Sequence, residues 1–158
     1  MAYINVSGPQ SNAIIQISTA SIASTSSGYI IPALQDITIN NAAGVFNWTQ
    51  LDEFSQKSVP TPATNSITAN LVLDKDVFFG DNDGQVTGTD VKALFNLSND
   101  AELVYFRVYF SGRTVSGSKY VSGQGYITNL APTVNPTAPV WVSPITISVD
   151  GDLTAASV

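Results

Sequence analysis

The C-terminal third of the chain alternates apolar and polar residues with a period of two, the pattern of strands with two different faces. In the run ELVYFRVYFS, Val104, Phe106 and Val108 fall on one side, and Tyr105 and Arg107 fall on the other. Both sides carry bulky side chains, so we expect this strand to be central and covered on both faces. A chain that ends in such strands is constrained to a mainly β fold.

Further strand patterns precede and follow this run. They are QDITIN (35–40), VFNWTQL (45–51), SITANLVLD (66–74) and the closing PITISVDG (144–151). In the segment KYVSGQGYITNLA, Gly123 and Gly125 indicate a bulge or a close backbone approach, because glycine inside a strand leaves room for a neighbour. These patterns predict an antiparallel sheet built from several short strands.

Two proline-bearing segments separate the strand patterns. The segment DEFSQKSVPTPATN (52–65) is predicted to be a long loop, because proline cannot donate to a strand ladder. The span 132–144, PTVNPTAPVWVSP, is predicted to be extended and irregular for the same reason. Both segments are therefore expected to connect elements rather than to form them.

One segment, TDVKALFNLS, has the pattern of a helix. Thr89 can cap its start, and Val91, Leu94 and Phe95 form an apolar stripe at helical spacing. Together with the strands, this predicts a β-sandwich or open barrel of antiparallel strands with one flanking α-helix. At 158 residues, we expect a single domain spanning 1–158.

The composition disfavours catalysis and nucleic-acid binding. The sequence contains no histidine and no cysteine, which removes the commonest general base, thiolate nucleophiles and zinc–sulfur sites. We therefore expect no enzymatic activity and no cofactor. The net charge is −6 with only six lysines and arginines, whereas a protein that grips phosphate needs a basic surface. Only 11% of residues are charged, which suits faces that end up against other copies of the chain.

The acidic segment DNDGQVTGTD offers a weak alternative function. It resembles a calcium loop in which Asp81, Asp83 and Asp90 take ligand positions, but Phe79 stands where the first ligand belongs. An acidic turn that ends a strand and caps a helix is the favoured interpretation. Two alternative functions are nevertheless kept, namely a calcium-dependent carbohydrate-binding module and an Ig-like adhesion or capsid decoration module.

An ordered set of phrases gives the chain a family resemblance. The phrases are FNWTQL, ANLVLDKD, VKALFNL, YFRVYFSG, YVSGQGYITNLAPTV and PITISVDGDLT. In this order, over residues 45–154, the sequence resembles the tail tube proteins (major tail proteins) of long-tailed, lambda-like bacteriophages. No single phrase is diagnostic, and the resemblance rests on their order.

The resemblance implies a structural virion protein. In that family a β-sandwich subunit with one helix forms hexameric rings, whose inner strands join into one barrel, and the rings stack into a hollow tail tube. Phage DNA passes through the lumen without specific binding, and no membrane is involved. The implied partners are further copies of the chain and the tail terminator, tape measure and baseplate proteins. The implied location is the phage tail, assembled in the host cytoplasm.

Two sets of residues are candidates for assembly roles under this resemblance. The predicted loop 52–65 is the natural segment to reach a neighbouring ring or subunit. Its candidate contact residues are Phe54, Lys57, Val59, Pro60 and Pro62. Asp36 and Asp150 are candidates to face the lumen, where carboxylates would keep phosphate from sticking.

Overall fold

The computed structural model describes residues 13–24, 27–52 and 54–158. The predicted domain 1–158 and the predicted loop 52–65 therefore each include residues outside the described part. The strands are β1 (Ile14–Ser18), β2 (Tyr29–Ile31), β3 (Leu34–Thr49), β4 (Gln56–Val72), β5 (Val104–Tyr109), β6 (Lys119–Leu130), β7 (Thr133–Asn135), β8 (Ala138–Val149) and β9 (Thr154–Ser157). The helices are α1 (Lys75–Phe79) and α2 (Leu94–Asn99).

The strands form one antiparallel sheet that curls back on itself. Its order is β2-β1-β5-β6-β8-β4-β3, with β7 paired to β8 and β9 paired to β6. The two ends of this order, β2 and β3, are joined directly by Pro32 and Ala33. Ala33 takes a positive φ of 53°, and its carbonyl accepts from the amide of Val72 at 3.1 Å. Because so short a link bridges the two ends, the sheet closes into the predicted open barrel or sandwich.

The core is built from aligned rows of aliphatic side chains. One row crosses four strands, because Ile39 lies opposite Ile67, Ile67 opposite Ile147, and Ile147 opposite Ile127. Ile67 and Ile147 are buried, and Ile39 packs against them at the edge. The alternation seen in the sequence therefore assigns these residues to the inner face, and the mainly β, antiparallel prediction is confirmed.

Strand β5 is central and covered on both faces, as its bulky alternation predicts. Its inner residue Phe106 lies in the core. On the outer face the Tyr109 hydroxyl donates to Oε1 of the buried Gln16 at 2.9 Å. The Arg107 guanidinium donates to the carbonyl of Ile22 and lies 4.7 Å from the centre of the Tyr120 ring. The segment after β1 thus folds over the outer face of β5.

The close backbone approach predicted at the strand glycines is confirmed at Gly125, whereas Gly123 makes room for a side chain. A Cβ atom on Gly125 would lie 2.1 Å from the carbonyl oxygen of Ser148 on β8. A Cβ atom on Gly123 would lie 2.9 Å from the ring of Phe106. Only glycine lets β6 lie this close to its neighbours.

The prediction of a long loop at 52–65 is wrong. Residues from Gln56 onward belong to β4, which pairs with β3 along nearly its whole length, with Val45 opposite Pro60. This part of β4 pairs on one side only, since its pairing with β8 begins at Ser66. Pro60, opposite Val45, lies beside this free edge, where a residue without an N–H group is tolerated. Pro62 falls in a register shift of the β3–β4 ladder, which is another position at which a strand accepts proline. The prolines therefore mark an edge and a bulge rather than a loop.

The irregular span predicted at 132–144 is also ordered differently. It forms a second hairpin, in which β7 pairs with the first half of β8. At its tip the Asn135 side chain accepts from the amide of Thr137 at 3.1 Å and from its hydroxyl at 2.9 Å. This local turn lets the chain reverse despite the flanking prolines.

The helical prediction is right in kind but wrong in extent and number. Helix α2 begins at Leu94, with Ala93 as its N-cap residue, and Thr89 instead donates to the carbonyl of Val86 at 2.8 Å. The chain before α2 forms a tight reversal, in which the amide of Ala93 donates to the carbonyl of Gly84 at 2.9 Å. The helix therefore begins later in the chain than predicted. The short α1 is the second helix. Among the described residues, no helix is long and apolar enough to cross a membrane.

We expect the aligned isoleucine row to dominate folding stability. Ile147→Ala should lower the free energy of unfolding by about 2–5 kcal/mol, because a buried aliphatic side chain leaves a cavity. The neighbouring Ser148→Ala, on the exposed face, should change it by about 0.5 kcal/mol or less. Urea denaturation of both variants measures this, and equal losses would contradict the assignment of the two faces.

Candidate assembly surfaces

A long β-ribbon projects from the body of the sheet. We call residues 43–63 the arm, because β4 loses its pairing with β8 before Ser66 while β3 and β4 continue as a pair. The rings of Phe46 and Trp48 stack with centroids 6.1 Å apart, and Val59 lies opposite Phe46. Leu51 and Phe54 are fully exposed at the tip. The arm therefore presents an uncovered apolar surface.

The arm is poorly suited to stand alone. Nearly every described residue of the arm is exposed, on both faces of the ribbon. A two-stranded ribbon is marginally stable in water, and a large exposed apolar patch marks a surface that meets a partner. The sequence-predicted contact residues all fall on the arm, namely Phe54, Lys57, Val59, Pro60 and Pro62. Their role in contacts stays a prediction, although the structure brings them together on one element.

A second apolar surface lies at the other end of β4. We call it the apolar groove; its volume is about 630 Å³. Its walls are Val72, Leu73, Lys75, Phe79, Pro132, Pro139, Val140 and Trp141. The amide of Leu73 donates to the carbonyl of Trp141 at 2.9 Å, which fixes the groove floor against β8. Sequence reasoning missed this groove, and its only signal was a tryptophan among prolines in an exposed span.

The outer side of the four strands β3, β4, β8 and β6 is polar but almost uncharged. We call it the polar face. Its residues alternate with the core rows and are Asp36, Thr38, Asn40, Ser66, Thr68, Asn70, Tyr126, Thr128, Asn129, Pro144, Thr146 and Ser148. Asp36 is the one charged residue among these twelve. Its carboxylate accepts from the backbone amide and the side-chain amide of Asn70, at 3.1 and 2.8 Å.

The two predicted lumen-facing acids lie in different places. Asp36 is on the polar face, whereas Asp150 lies in the loop after β8. The amide of Asp150 donates to Gln124 at 2.8 Å, and its carboxylate borders a polar cleft of about 410 Å³ together with Arg107 and Asp152. The structure therefore does not bring Asp36 and Asp150 together. Which of them faces a lumen stays a prediction.

Asp81 in the acidic segment and Asp76 just before it accept local hydrogen bonds through their carboxylates. Oδ1 of Asp81 accepts from the amides of Asp83 and Gln85, at 2.9 and 3.2 Å. The carboxylate of Asp76 accepts from the amide and hydroxyl of Thr87. Across the part of the chain that the structure describes, no group of three or more His, Cys, Asp or Glu side chains could hold a metal ion.

One ion-pair cluster ties the ends of the α2 segment together. Nζ of Lys92 lies 2.8 Å from Oδ2 of Asp100 and 2.9 Å from Oε2 of Glu102. The hydrogen bonds that Lys92 donates to Asp100 and Glu102 raise the pKa of Lys92, and the bond to Asp100 lowers the pKa of that carboxyl. Burial raises the pKa of Tyr29, whose hydroxyl donates to the carbonyl of Lys92. These contacts brace the fold and lie apart from the arm.

Solved structures share this architecture. No family model matches the sequence, and no curated protein matches it. A chain in the SPP1 tail tube is 16% identical and superposes with a TM-score of 0.61, covering 98% of this chain and 80% of that one. A chain of the native gene transfer agent virion is 14% identical with a TM-score of 0.61, covering 92% and 95%. A chain in the tail of the empty gene transfer agent particle, solved with C6 symmetry, is 15% identical with a TM-score of 0.61, covering 91% and 95%.

The chain therefore has the fold shared by these chains of virion and tail particles. More particularly, it has the fold of the subunit found in the SPP1 tail tube, over nearly its whole length.

The acidic segment makes a calcium test informative. Because the carboxylate of Asp81 already accepts hydrogen bonds from two backbone amides, we expect millimolar calcium to leave the melting temperature of the protein unchanged. The control is the same titration in the presence of EGTA. A rise in melting temperature that EGTA reverses, and that Asp83→Asn abolishes, would instead support the calcium-dependent alternative.

Proposed function

We propose that this protein is a structural tail tube subunit, which assembles into hexameric rings stacked as a hollow tube for DNA. The observation that carries this proposal is the match of almost the entire chain to a subunit of the SPP1 tail tube. The C6 symmetry of the gene transfer agent tail supports six copies in a ring. The product of assembly is a virion tail, and no step of catalysis is required of the chain.

The edges of the polar-faced sheet support ring closure. Within the described residues, β3 pairs only with β4 and leaves a long free edge. The opposite side of the same four-strand layer ends in the last residues of β6 and in β7, which pairs only with β8. Free edges are an aggregation hazard unless they are paired. Head-to-tail pairing of one edge with the other edge of the next copy closes a ring and removes both.

The polar face supports an inert lumen. If ring closure continues the four-strand layer, this face becomes a continuous wall made mostly of Ser, Thr and Asn side chains, with Tyr126 and Pro144 among them. Such a wall lacks the lysines and arginines that hold phosphate, and the net charge of −6 opposes retention of DNA. Asp36, with both carboxylate oxygens held by Asn70, adds negative charge to that wall.

The remaining partners follow from the two ends of such a tube. One end would present arms and the other would present apolar grooves, so a terminator protein and a baseplate protein meet chemically different surfaces. A tape measure protein would occupy the inert lumen. These partners belong to the proposal and follow from the family resemblance.

We expect the arm to be required for tubes but not for folding. Gly44 lies opposite Thr61, so removal of residues 45–60 with an Asn-Gly link shortens both strands equally and leaves a turn compatible with a hairpin. The truncated protein should remain soluble and folded by circular dichroism. Negative-stain microscopy at high protein concentration should show tubes for the full chain and none for the truncated chain.

A milder variant separates contact loss from shortening. Phe46→Ser combined with Trp48→Ser should also abolish tubes, whereas Val115→Ser, in a loop far from the arm in the chain, should keep them. Full-length protein that never forms rings or tubes would refute the proposed function.

We also expect added positive charge on the polar face to trap DNA. Thr68 and Thr146 lie opposite each other, so Thr68→Lys with Thr146→Lys adds two phosphate contacts per subunit. Assembled tubes of this variant should retain duplex DNA at about 50 mM salt and release it at about 200 mM. The control, Thr114→Lys with Ser116→Lys, adds the same charge in an exposed loop. The comparison uses tubes whose outer surface is blocked against DNA binding. Equal retention of DNA by the two variants would then contradict a polar face that points into the lumen.

A further inference from the structure

We infer that the arm of one copy docks into the apolar groove of a copy in the next ring. This inference rests on the proposed tube and names the pair of surfaces that joins one ring to another. It commits to a second copy of the chain as the occupant of the groove.

The first argument is the placement of the two surfaces. Both belong to β4, with the arm at the start of the strand and the groove at its end, beside Val72. About eight extended residues, from 65 to 72, separate them, a distance on the order of 25 Å. Because β4 is one continuous strand, the arm points away from the groove of its own copy. The two surfaces can therefore meet only between copies.

The second argument is the kind of assembly that this placement produces. Two different surfaces at opposite ends of a strand make a head-to-tail contact between copies. If the rotation from one copy to the next does not close a ring, such contacts continue indefinitely. Repeated along the strand direction, it stacks subunits one above another. This is the geometry needed between rings, in contrast to the edge pairing needed within a ring.

The third argument is area. The apolar arm side chains are Phe46, Trp48, Leu51, Phe54 and Val59. From their exposed fractions they offer on the order of 700 Å² of surface, close to the roughly 800 Å² that each partner buries in a standard interface. The groove, at about 630 Å³, is walled by exposed Phe79, Val140 and Trp141. Both surfaces are apolar, so burying one against the other removes unfavourable exposure from each.

Three valines allow a matched cross-linking test. Val59 on the arm, Val140 in the groove and Val115 in a loop that belongs to neither surface are 44%, 48% and 45% exposed. The chain has no cysteine, so a single Val→Cys change creates the only thiol. A flexible bismaleimide replaces a direct disulfide, because a disulfide requires Cα atoms within about 7 Å. Each variant is first checked for tubes by microscopy and then mixed in pairs under assembly conditions.

The expected result is specific dimers from one mixture. Val59→Cys mixed with Val140→Cys should give a cross-linked dimer on denaturing gels, several-fold more than Val59→Cys with Val115→Cys. Diluting the protein below the concentration at which tubes form should abolish the product, since the contact is between copies.

The other outcomes separate the two proposals. Tubes without preferential Val59–Val140 cross-linking would overturn the docking inference and leave the tube function standing. Preferential cross-linking in assemblies that are not tubes would support the docking contact and overturn the tube function. Neither tubes nor cross-links would overturn both.

Discussion

The register of the four strands β3, β4, β8 and β6 is the constraint on which the rest of the structure depends. Ile39, Ile67, Ile147 and Ile127 lie opposite one another in one row. A slip of one residue in any of these strands would turn its isoleucines outward and its threonines inward. The burial of the core and the composition of the polar face are therefore two results of one alignment. Aliphatic burial on one side fixes what the other side can offer to a lumen.

The same alignment explains how the sequence could predict part of the fold. Strict alternation in β5 and β8, and the close approach at Gly125, are local patterns that a single strand displays. The arm was hidden because Pro60 and Pro62 signal a break. The absence of a second neighbour at that edge, together with a register shift at Pro62, makes them tolerable. Helix α2 starts later than its apolar stripe suggests, because the backbone before it pairs in a reversal that the stripe does not reveal.

The candidate surfaces also divide into those that a local sequence pattern predicts and those that it does not. The residues of the arm were identified from one continuous segment, although as a loop, and Asp36 was identified within a strand. The apolar groove joins α1, the start of β7 and β8, and the end of β4, which lie far apart in the chain. Such a surface has no periodicity to detect, since it exists only after the strands have paired. Asp150 was grouped with Asp36 by charge alone, and the chain places it in a separate cleft.

Arm docking and edge pairing would make assembly cooperative in a definite order. A ribbon of two strands is only marginally stable by itself, so docking of a single arm would also have to order it. The entropy lost on ordering would offset part of the interaction free energy of that contact. In the proposed six-copy ring, six arms would point the same way, and after one docks the others would bind at high effective concentration. Rings should therefore stack far more readily than free subunits. Because a head-to-tail contact has no natural end, the length of such a tube has to be set by a molecule other than this chain.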